Sequence, residues 1–175
     1  IEIELSNHDQ VIDLLERKTD VAIRFGELHD SSLHAKLLCR SRLYIVASPS
    51  YLEQNGVPQS PEDLSQHALL GFSQPTHLNT WPIQLNGDDF IAHPKIKASN
   101  GETVRQLAIQ GVGITCLSRF LVEEDLQAGR LKALFEDKIH LHYQKIHAVY
   151  YRQEHLPKRV RLFIEFLAEK LAVYL

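Results

Sequence analysis

The sequence has few of the residues that would tie it to a disulfide framework, a membrane or a polyanion. Among 175 residues there are two cysteines, no methionine and one tryptophan, and the formal net charge is −3. Because nucleic-acid-binding surfaces need an excess of Lys and Arg, this chain by itself is a poor candidate for binding DNA. No apolar run reaches the ~18 residues that a membrane span needs, and no signal peptide is visible, so neither is expected.

Several kinds of chemistry also lack their motifs. Cys39 and Cys116 lie in the apolar settings AKLLC and GITCLS, which predicts two buried, reduced thiols of a cytosolic protein. There is no C-x-x-C, no G-x-S-x-G and no P-loop pattern, so redox, hydrolase and nucleotide chemistry are not indicated. The chain begins directly on the strand-like IEIEL, and we expect it to be a fragment with other domains upstream.

Ten histidines raise the possibility of a metal site. His140 and His142 would share one face of a strand, and His29 and His34 lie in a loop-like stretch. A third and fourth ligand at zinc-like spacing are missing, so we expect no metal and no cofactor.

Apolar residues, 44% of the chain, recur with alternating strand and helix periods, which predicts an α/β protein with mainly parallel sheets. Ile1, Ile3 and Leu5 alternate with glutamates as in a half-buried strand, a helix follows over 8–17, and VAIRF (21–25) reads as a buried strand. The further strands predicted are 43–48, 67–73, 93–99, 114–118 and 140–152. The further helices predicted are 49–56, a short one after the Pro-rich turn 58–66, one within 99–115 and one over 119–129. A last helix starts at Pro157 and has the apolar stripe Val160, Phe163, Ile164, Phe166, Leu167 and Leu171.

Three local patterns give further predictions. Asn86-Gly87 is a strong hairpin signal within 75–90, and Trp81 is expected in the core beside it. The acidic pair Asp88-Asp89 and the run Glu123–Asp125 are interpreted as solvated charge in a turn and on an exposed helix face, with no catalytic role.

The stretch SNGETVRQLAIQGVGIT (99–115) has a helix with abrupt ends. Ser99 to Glu102 fits the capping-box pattern, Gly111 and Gly113 end the helix, and Gly101 would let a ligand approach the backbone. The free N–H groups of the first helical turn favour an anion. The alternative, an ordinary capped helix start that binds nothing, is favoured by this motif alone.

A second candidate site is Arg24-Phe25-Gly26, at the end of the VAIRF strand. Ligands of open α/β sheets bind beyond the carboxyl ends of strands, and Arg24 is suited to a bidentate pair with a carboxylate. A surface arginine held by Glu27 or Asp30 is an equal alternative.

Taken in order, D-x-A-I-R-x-G, A-S-P-x-Y-L, N-G-E, G-x-G-I and L-P-x-R-V-R-x-F-I-x-F-L resemble the effector-binding (substrate-binding) domain of LysR-type transcriptional regulators over nearly the whole chain. The resemblance implies a type 2 periplasmic-binding-protein-like α/β fold. Its two α/β subdomains would be residues 1–44 plus 149–175 and residues 45–148, joined by the crossover strands LYIVAS and KIHAVY, with a ligand cleft between them.

The resemblance also implies a function: sensing a small, often anionic, effector that controls DNA binding by the full-length regulator in the bacterial cytoplasm, without enzymatic activity. By motif match the effector-binding residues would be Arg24, Phe25, Gly26, Phe72, Ser73, Ser99, Asn100, Gly101, Thr103 and Thr115. The expected assembly is a homodimer or tetramer, with the 8–17 region of one copy against the 119–127 region of another.

The sequence departs from the family in one respect. The family's domain begins with a further strand and helix before the segment matching IEIEL, and the DNA-binding helix-turn-helix precedes those; both are absent here. DNA contact is therefore expected only through an N-terminal domain outside this chain. Two rivals share the scaffold: an exported solute-binding protein, and an enzyme, which would need a catalytic pair that the motifs do not supply.

Overall fold

The computed structural model describes residues 2–6, 14, 19–26, 28, 33–139, 143–151 and 156–172. The chain divides into two compact units, residues 1–41 with 143–175 (unit 1) and residues 42–142 (unit 2). It leaves unit 1 within strand β2 (Leu33–Ala47) and returns at the start of strand β9 (Tyr143–Tyr151). The subdomain boundaries given in Sequence analysis, 44/45 and 148/149, fall in the same two strands; that these units act as the family's subdomains stays a prediction.

Unit 1 is built on β1 (Ala22–Phe25), which pairs antiparallel with β9, and on the first part of β2, which also neighbours β9. Helix α4 (Lys158–Leu171) follows Pro157 as predicted and buries Val160 and Ile164. The predicted burial of the VAIRF strand is wrong, because Ile23 and Phe25 are 42% and 38% exposed. Among the described residues β1 is an edge strand, with β9 as its one strand neighbour.

The strand predicted over IEIEL is absent from residues 2–6, where Ile3 and Leu5 are 64% and 84% exposed. Alternation makes a strand only where a neighbouring strand takes up the backbone N–H and C=O groups, and the described residues offer none to this segment. The predicted β-α-β unit at the beginning of the chain is therefore wrong in its first strand, residues 1–5. The predicted 8–17 helix lies outside the described residues except for Leu14, a buried turn residue.

Unit 2 contains most of the regular structure. Its elements after β2 are α1 (Pro49–Asn55), a 3₁₀ helix (Pro61–Gln66), β3 (Leu70–Phe72), a 3₁₀ helix (Thr76–Asn79), β4 (Thr80–Leu85), β5 (Asp88–Ile91), β6 (Ile96–Ala98), α2 (Gly101–Ile109), β7 (Thr115–Ser118), α3 (Arg119–Gln127) and β8 (Lys132–Leu134). Of these, β8 and the 3₁₀ helix Thr76–Asn79 were not predicted from the sequence, whereas α1, α2, α3 and the β4–β5 hairpin confirm their predictions. At the hairpin turn Asn86 and Gly87 have φ of 56° and 91°, the left-handed pair that a two-residue turn requires.

The prediction of mainly parallel sheets is wrong for the described residues. Strand β3 with β6, and the bridge Leu69–Ile114, are parallel, while β1 pairs antiparallel with β9, β2 with both β7 and β8, and β4 with β5. The β4–β5 turn is too short for any but antiparallel neighbours. Strands β7 and β8, joined by α3, run in the same direction but lie on either side of β2.

The core of unit 2 lies on both faces of β2. Ile45 and Ala47 pack in one apolar cluster with Trp81, whereas Val46, which points the other way, packs with Val104 and Leu117. The two cysteines are free and buried, as predicted, and burial raises the pKa of both thiols.

Candidate functional site

Helix α2 begins one residue later than the capping-box prediction placed it. Its N-cap is Asn100, whose Oδ1 accepts a hydrogen bond of 2.8 Å from the backbone N–H of Thr103. The predicted capping box of Ser99 with Glu102 is therefore wrong. Glu102 Oε1 instead accepts from Arg105 Nη1 and Gln106 Nε2, both at 2.8 Å, because these donors lie one turn further along the same helix face.

The start of α2 adjoins the carboxyl ends of two parallel strands. Strands β3 and β6 are in register with Phe72 opposite Ala98, and Ser73 N–H donates to Ala98 O at 3.0 Å. Ser73 and Ser99, which directly follow β3 and β6, therefore lie side by side at the ends of these neighbouring strands. We call Phe72, Ser73, Ser99, Asn100 and Gly101 the strand-end cluster.

Gly101 lets the helix start close to this edge. A Cβ at this position would lie 2.7 Å from Leu121 Cδ1 and 3.9 Å from the Phe72 ring, so a side chain there would displace Leu121 and narrow the space over Phe72. The cluster therefore contains backbone N–H groups, hydroxyls and one aromatic ring, which together can hold the polar and apolar parts of a small ligand.

Asn79 fixes the end of β3, and its role was missed from the sequence. Its buried amide accepts from Phe72 N–H at 2.8 Å and donates to Phe72 O at 2.9 Å, as a neighbouring strand would. The sequence gives no periodic signal for this role, because Asn79 lies in a short 3₁₀ turn between two strands.

Thr115 is not brought to the strand-end cluster. The parallel bridge Leu69–Ile114 puts Thr115 at the level of Leu70, at the opposite end of β3 from Ser73. Thr115 is fully buried, and its Oγ1 has no hydrogen-bond partner among the described residues. Counting along both strands from the bridge places Ser118, the last residue of β7 and the N-cap of α3, at the level of Ser73. Ser118 was missed, although it resembles Ser99 in coming between a strand and a helix.

Helices α2 and α3 are held together by a buried ion cluster. The Asp125 side chain is fully buried. Its carboxylate accepts hydrogen bonds from Arg105 Nε at 2.5 Å, from Arg105 Nη2 at 3.0 Å and from Arg130 Nε at 2.6 Å. The prediction that Glu123–Asp125 is solvated charge is thus wrong at Asp125, which lies one helical turn from buried Val122. Burial raises the pKa of this carboxyl, but the hydrogen bonds and charges of Arg105 and Arg130 outweigh it and hold the pKa below its usual value.

The second predicted site belongs to unit 1. Arg24 and Phe25 end β1, with Arg24 opposite His147 on β9, and Gly26 N–H donates to Lys145 O at 2.9 Å. Gly26 has φ of 89°, so the chain turns there in a conformation that glycine favours. Unit 1 thus holds these three residues together at one strand end.

No group of three or more His, Cys, Asp or Glu side chains in the described ranges is arranged to hold a metal ion. His34 stacks on Tyr150 with ring centroids 5.8 Å apart, while His29, His140 and His142 lie outside the described residues.

Gly113, which ends the motif, is predicted to be intolerant of any side chain. A Cβ there would lie 2.4 Å from Ala68 O, the acceptor of the Ile114 N–H bond that joins the start of β7 to β3. We expect Gly113→Ala to lower the free energy of unfolding by about 1–3 kcal/mol through overpacking, measured by urea unfolding followed by the fluorescence of Trp81. Gln110→Ala at the exposed end of α2 is the control, expected to change it by about 0.5 kcal/mol or less. Equal stabilities of Gly113→Ala and wild type would contradict the packing described.

Comparison with known proteins decides the family. The family model described as the LysR substrate binding domain matches residues 1–172. The chain belongs to this family. The solved regulatory domain of CrgA, a LysR-type transcriptional regulator from Neisseria meningitidis, superposes with a TM-score of 0.82 at 43% identity, covering 90% of this chain and 78% of that one. The fold is accordingly the periplasmic-binding-protein-like α/β fold of LysR regulatory domains.

Two further relatives agree with this assignment. The HTH-type transcriptional regulator CrgA of N. meningitidis serogroup B is 42% identical over 172 residues, which is 98% of this chain and 58% of the relative. The full-length virulence activator AphB of Vibrio cholerae, a LysR-type protein, gives a TM-score of 0.73 at 30% identity, covering 94% of this chain and 56% of that one. The chain thus spans little more than half the length of these LysR-type relatives. No described helix is long and apolar enough to cross a membrane.

Proposed function

We propose that this LysR domain is the effector-sensing module of a bacterial transcription regulator and that it binds a small anionic metabolite at the strand-end cluster. The observation that carries the proposal is the convergence of the carboxyl ends of β3 and β6 with the N-terminus of α2. Backbone N–H groups at a helix start and flanking serine hydroxyls favour a carboxylate or a similar oxyanion.

The one acidic side chain at the helix start is paired within its own helix, which reduces its repulsion of an anion. Glu102 is the one acidic residue in the first turn of α2, and its carboxylate is paired with Arg105. The positive field at the start of α2 is therefore weakened less by the carboxylate of Glu102.

Further contacts are proposed from both units. Arg24, Phe25 and Gly26 are the proposed contacts from unit 1. Thr103, whose N–H donates to the Asn100 side chain, is proposed to contribute its hydroxyl from α2. Thr115 is the weakest member of the proposed set because of its distance along β3.

The proposed mechanism is a shift between two states of the full-length regulator. An effector acts only through its different affinities for those states. The change would pass through a homodimer or tetramer to an N-terminal DNA-binding domain outside this chain, as the HTH-type relatives suggest. Helix α3 is proposed as one half of the dimer contact, and the other half, residues 8–17, lies outside the described residues. We propose a cytoplasmic regulator without enzymatic activity, cofactor or metal.

The proposal is tested by thermal unfolding with matched pairs of acids and amides: acetate with acetamide, succinate with succinamide, and benzoate with benzamide. A ligand at 100 times its Kd adds about 2.7 kcal/mol, which for a domain of this size is a shift in Tm of roughly 5–10 °C. We expect an acid to raise the Tm where its amide does not, and Ser99→Ala and Arg24→Ala to reduce that shift. Gln110→Ala should leave it unchanged. An equal response to acid and amide would contradict an anion site, and an undiminished response in Arg24→Ala would remove that residue from it.

A further inference from the structure

We propose that Leu121, in the first turn of α3, limits the size of the acid that binds at the strand-end cluster, and that this acid carries a compact apolar body. The residue and the ligand class belong to the same site, so both assignments rest on the proposed function. They are based on the contact that Leu121 and Phe72 make beside the first residue of α2.

Two apolar side chains meet beside Gly101. Leu121 Cδ1 lies 2.7 Å, and Phe72 Cε1 and Cζ each lie 3.9 Å, from the point where a Cβ of residue 101 would stand. The Cα–Cβ bond of a helical residue tilts toward the helix N-terminus, so this point lies on the side of the free N–H groups of the first turn. An acid whose carboxylate binds those groups therefore places its body against Leu121 and Phe72, which we call the apolar wall.

The apolar wall keeps part of its surface exposed. Leu121 and Phe72 are partly buried and pack against the buried cluster that contains Val104 and Leu117. The exposed remainder is apolar, so a ligand body that covers it is favoured by the hydrophobic effect. Because the wall is only two side chains wide, a body of the size of a benzene ring covers it as fully as a larger one does.

Leu121 is held in place by the rest of α3. Its neighbour Val122 is fully buried, and Asp125, one helical turn from Val122, is bound by Arg105 of α2 and by Arg130. Buried contacts thus fix the distance between the starts of α2 and α3. A wall that is locked by packing discriminates by size, because a bulkier ligand can move it only by breaking those contacts.

An ordinary core leucine is the alternative role for Leu121, and Leu126 provides the matched comparison. Leu126 belongs to the same helix, is also partly buried and packs against the same cluster, but it lies near the opposite end of α3. Replacement of either leucine by alanine removes the same atoms, so both variants should lose stability. A change in which acid binds is expected of Leu121→Ala alone.

The test compares the Kd values of acetate, succinate, benzoate and 2-naphthoate for the 175-residue chain by amide NMR titration, which also measures weak binding. Wild type should bind benzoate more tightly than the other three acids. Leu121→Ala should bind 2-naphthoate about tenfold more tightly than wild type does, because the lost side chain makes room for the second ring. Leu121→Phe should weaken benzoate by a similar factor and still bind acetate. Leu126→Ala should keep the wild-type order of the four acids.

The contact itself is tested without a ligand, by a double-mutant cycle of Gly101→Ala and Leu121→Ala. In wild type the added Cβ displaces Leu121 Cδ1, so Gly101→Ala should lower the Tm. In Leu121→Ala that methyl group is gone, and Gly101→Ala should leave the Tm unchanged or raise it, because alanine favours a helix more than glycine does. Additive effects on the Tm would show that Leu121 does not contact Gly101 and would overturn the size limit.

The remaining contrary outcomes can be told apart. If no acid binds to folded wild type, the proposed function fails and the size limit fails with it. If acids bind at the strand-end cluster but Leu121→Ala changes the Kd values of benzoate and 2-naphthoate by one common factor, or no differently from Leu126→Ala, the site stands and Leu121 is an ordinary core residue. If succinate binds as tightly as benzoate, the apolar body is wrong. Circular dichroism checks the folding of each variant.

Discussion

Replacing Asp125 with alanine is expected to lower the free energy of unfolding by about 2–4 kcal/mol, because it removes the buried carboxylate that Arg105 and Arg130 share and leaves Arg105 with the exposed Glu102 as its ion-pair partner. The lost carboxylate takes three charge-assisted hydrogen bonds, two from Arg105 and one from Arg130. The side chain of Arg105 is only 17% exposed, so water replaces its lost partner poorly. The substitution also removes the main polar contact between α2 and α3.

The measurement is chemical unfolding followed by the fluorescence of Trp81, with Glu124→Ala as the control. Glu124 is exposed on the same helix, and its replacement should change the free energy of unfolding by about 0.5 kcal/mol or less. Asp125→Asn keeps the shape of the side chain and removes its charge. Its loss of unfolding free energy should therefore lie between those of Glu124→Ala and Asp125→Ala. If Asp125→Ala loses less than about 1 kcal/mol, the cluster is not the buried support described here.

The same carboxyl should make stability sensitive to acid. The pKa of Asp125 is lowered in the folded chain, since the bonds and charges of the two arginines outweigh the opposing effect of burial. A depressed folded pKa contributes stability that is present above the unfolded value, about 3.9 for aspartate, and is lost as the pH falls through the folded pKa. The difference in unfolding free energy between wild type and Asp125→Asn should accordingly shrink as the pH is lowered below that unfolded value.

Replacing Trp81 with alanine should have an effect of similar size on the other face of the β2 core. Trp81 is 2% exposed, and its ring centroid lies 5.4 Å from that of Phe90 with the planes tilted by 48°. Truncation removes this contact and opens a cavity beside Ile45 and Ile83, which costs about 3–5 kcal/mol. Because Trp81 is the only tryptophan, unfolding of this variant is followed by circular dichroism.

Val57→Ala serves as the control for Trp81→Ala. Val57 is also apolar but is 52% exposed, so its truncation should change the unfolding free energy by about 0.5 kcal/mol or less. Similar losses in the two variants would show that the cluster around Trp81 is not tightly packed.

Local signals predicted the elements whose ends are set by their own residues. Gly56 and Gly129, with φ of 84° and 70°, follow α1 and α3, and Asn86-Gly87 sets the hairpin. Signals of this kind act within a few residues, so they can be recognised without knowledge of the partner strands.

Features that depend on distant partners were harder to predict. Residues 33–42 have no alternation strong enough to indicate a strand, yet β2 extends over them and has β9 as a neighbour. The burial of Asp125 depends on Arg105, twenty positions earlier, and on Arg130, in the loop after its helix. Residues 2–6 have a strand-like pattern but no described neighbour that could make them a strand. In the candidate site, Ser99, Asn100 and Gly101 could be found from a local motif, whereas Asn79 and Ser118 depend on strand register.

The central claim, that a small anion binds at the strand-end cluster, is tested most directly by amide NMR of the ¹⁵N-labelled chain. The titrant is the acid that gives the largest thermal shift, with its amide as control. We expect saturable changes centred on the N–H groups of Ser73, Ser99, Asn100 and Gly101, with the acid and not with the amide. Saturable binding of the acid that leaves these four amides unmoved, or no binding by any acid to a folded chain, would contradict the account.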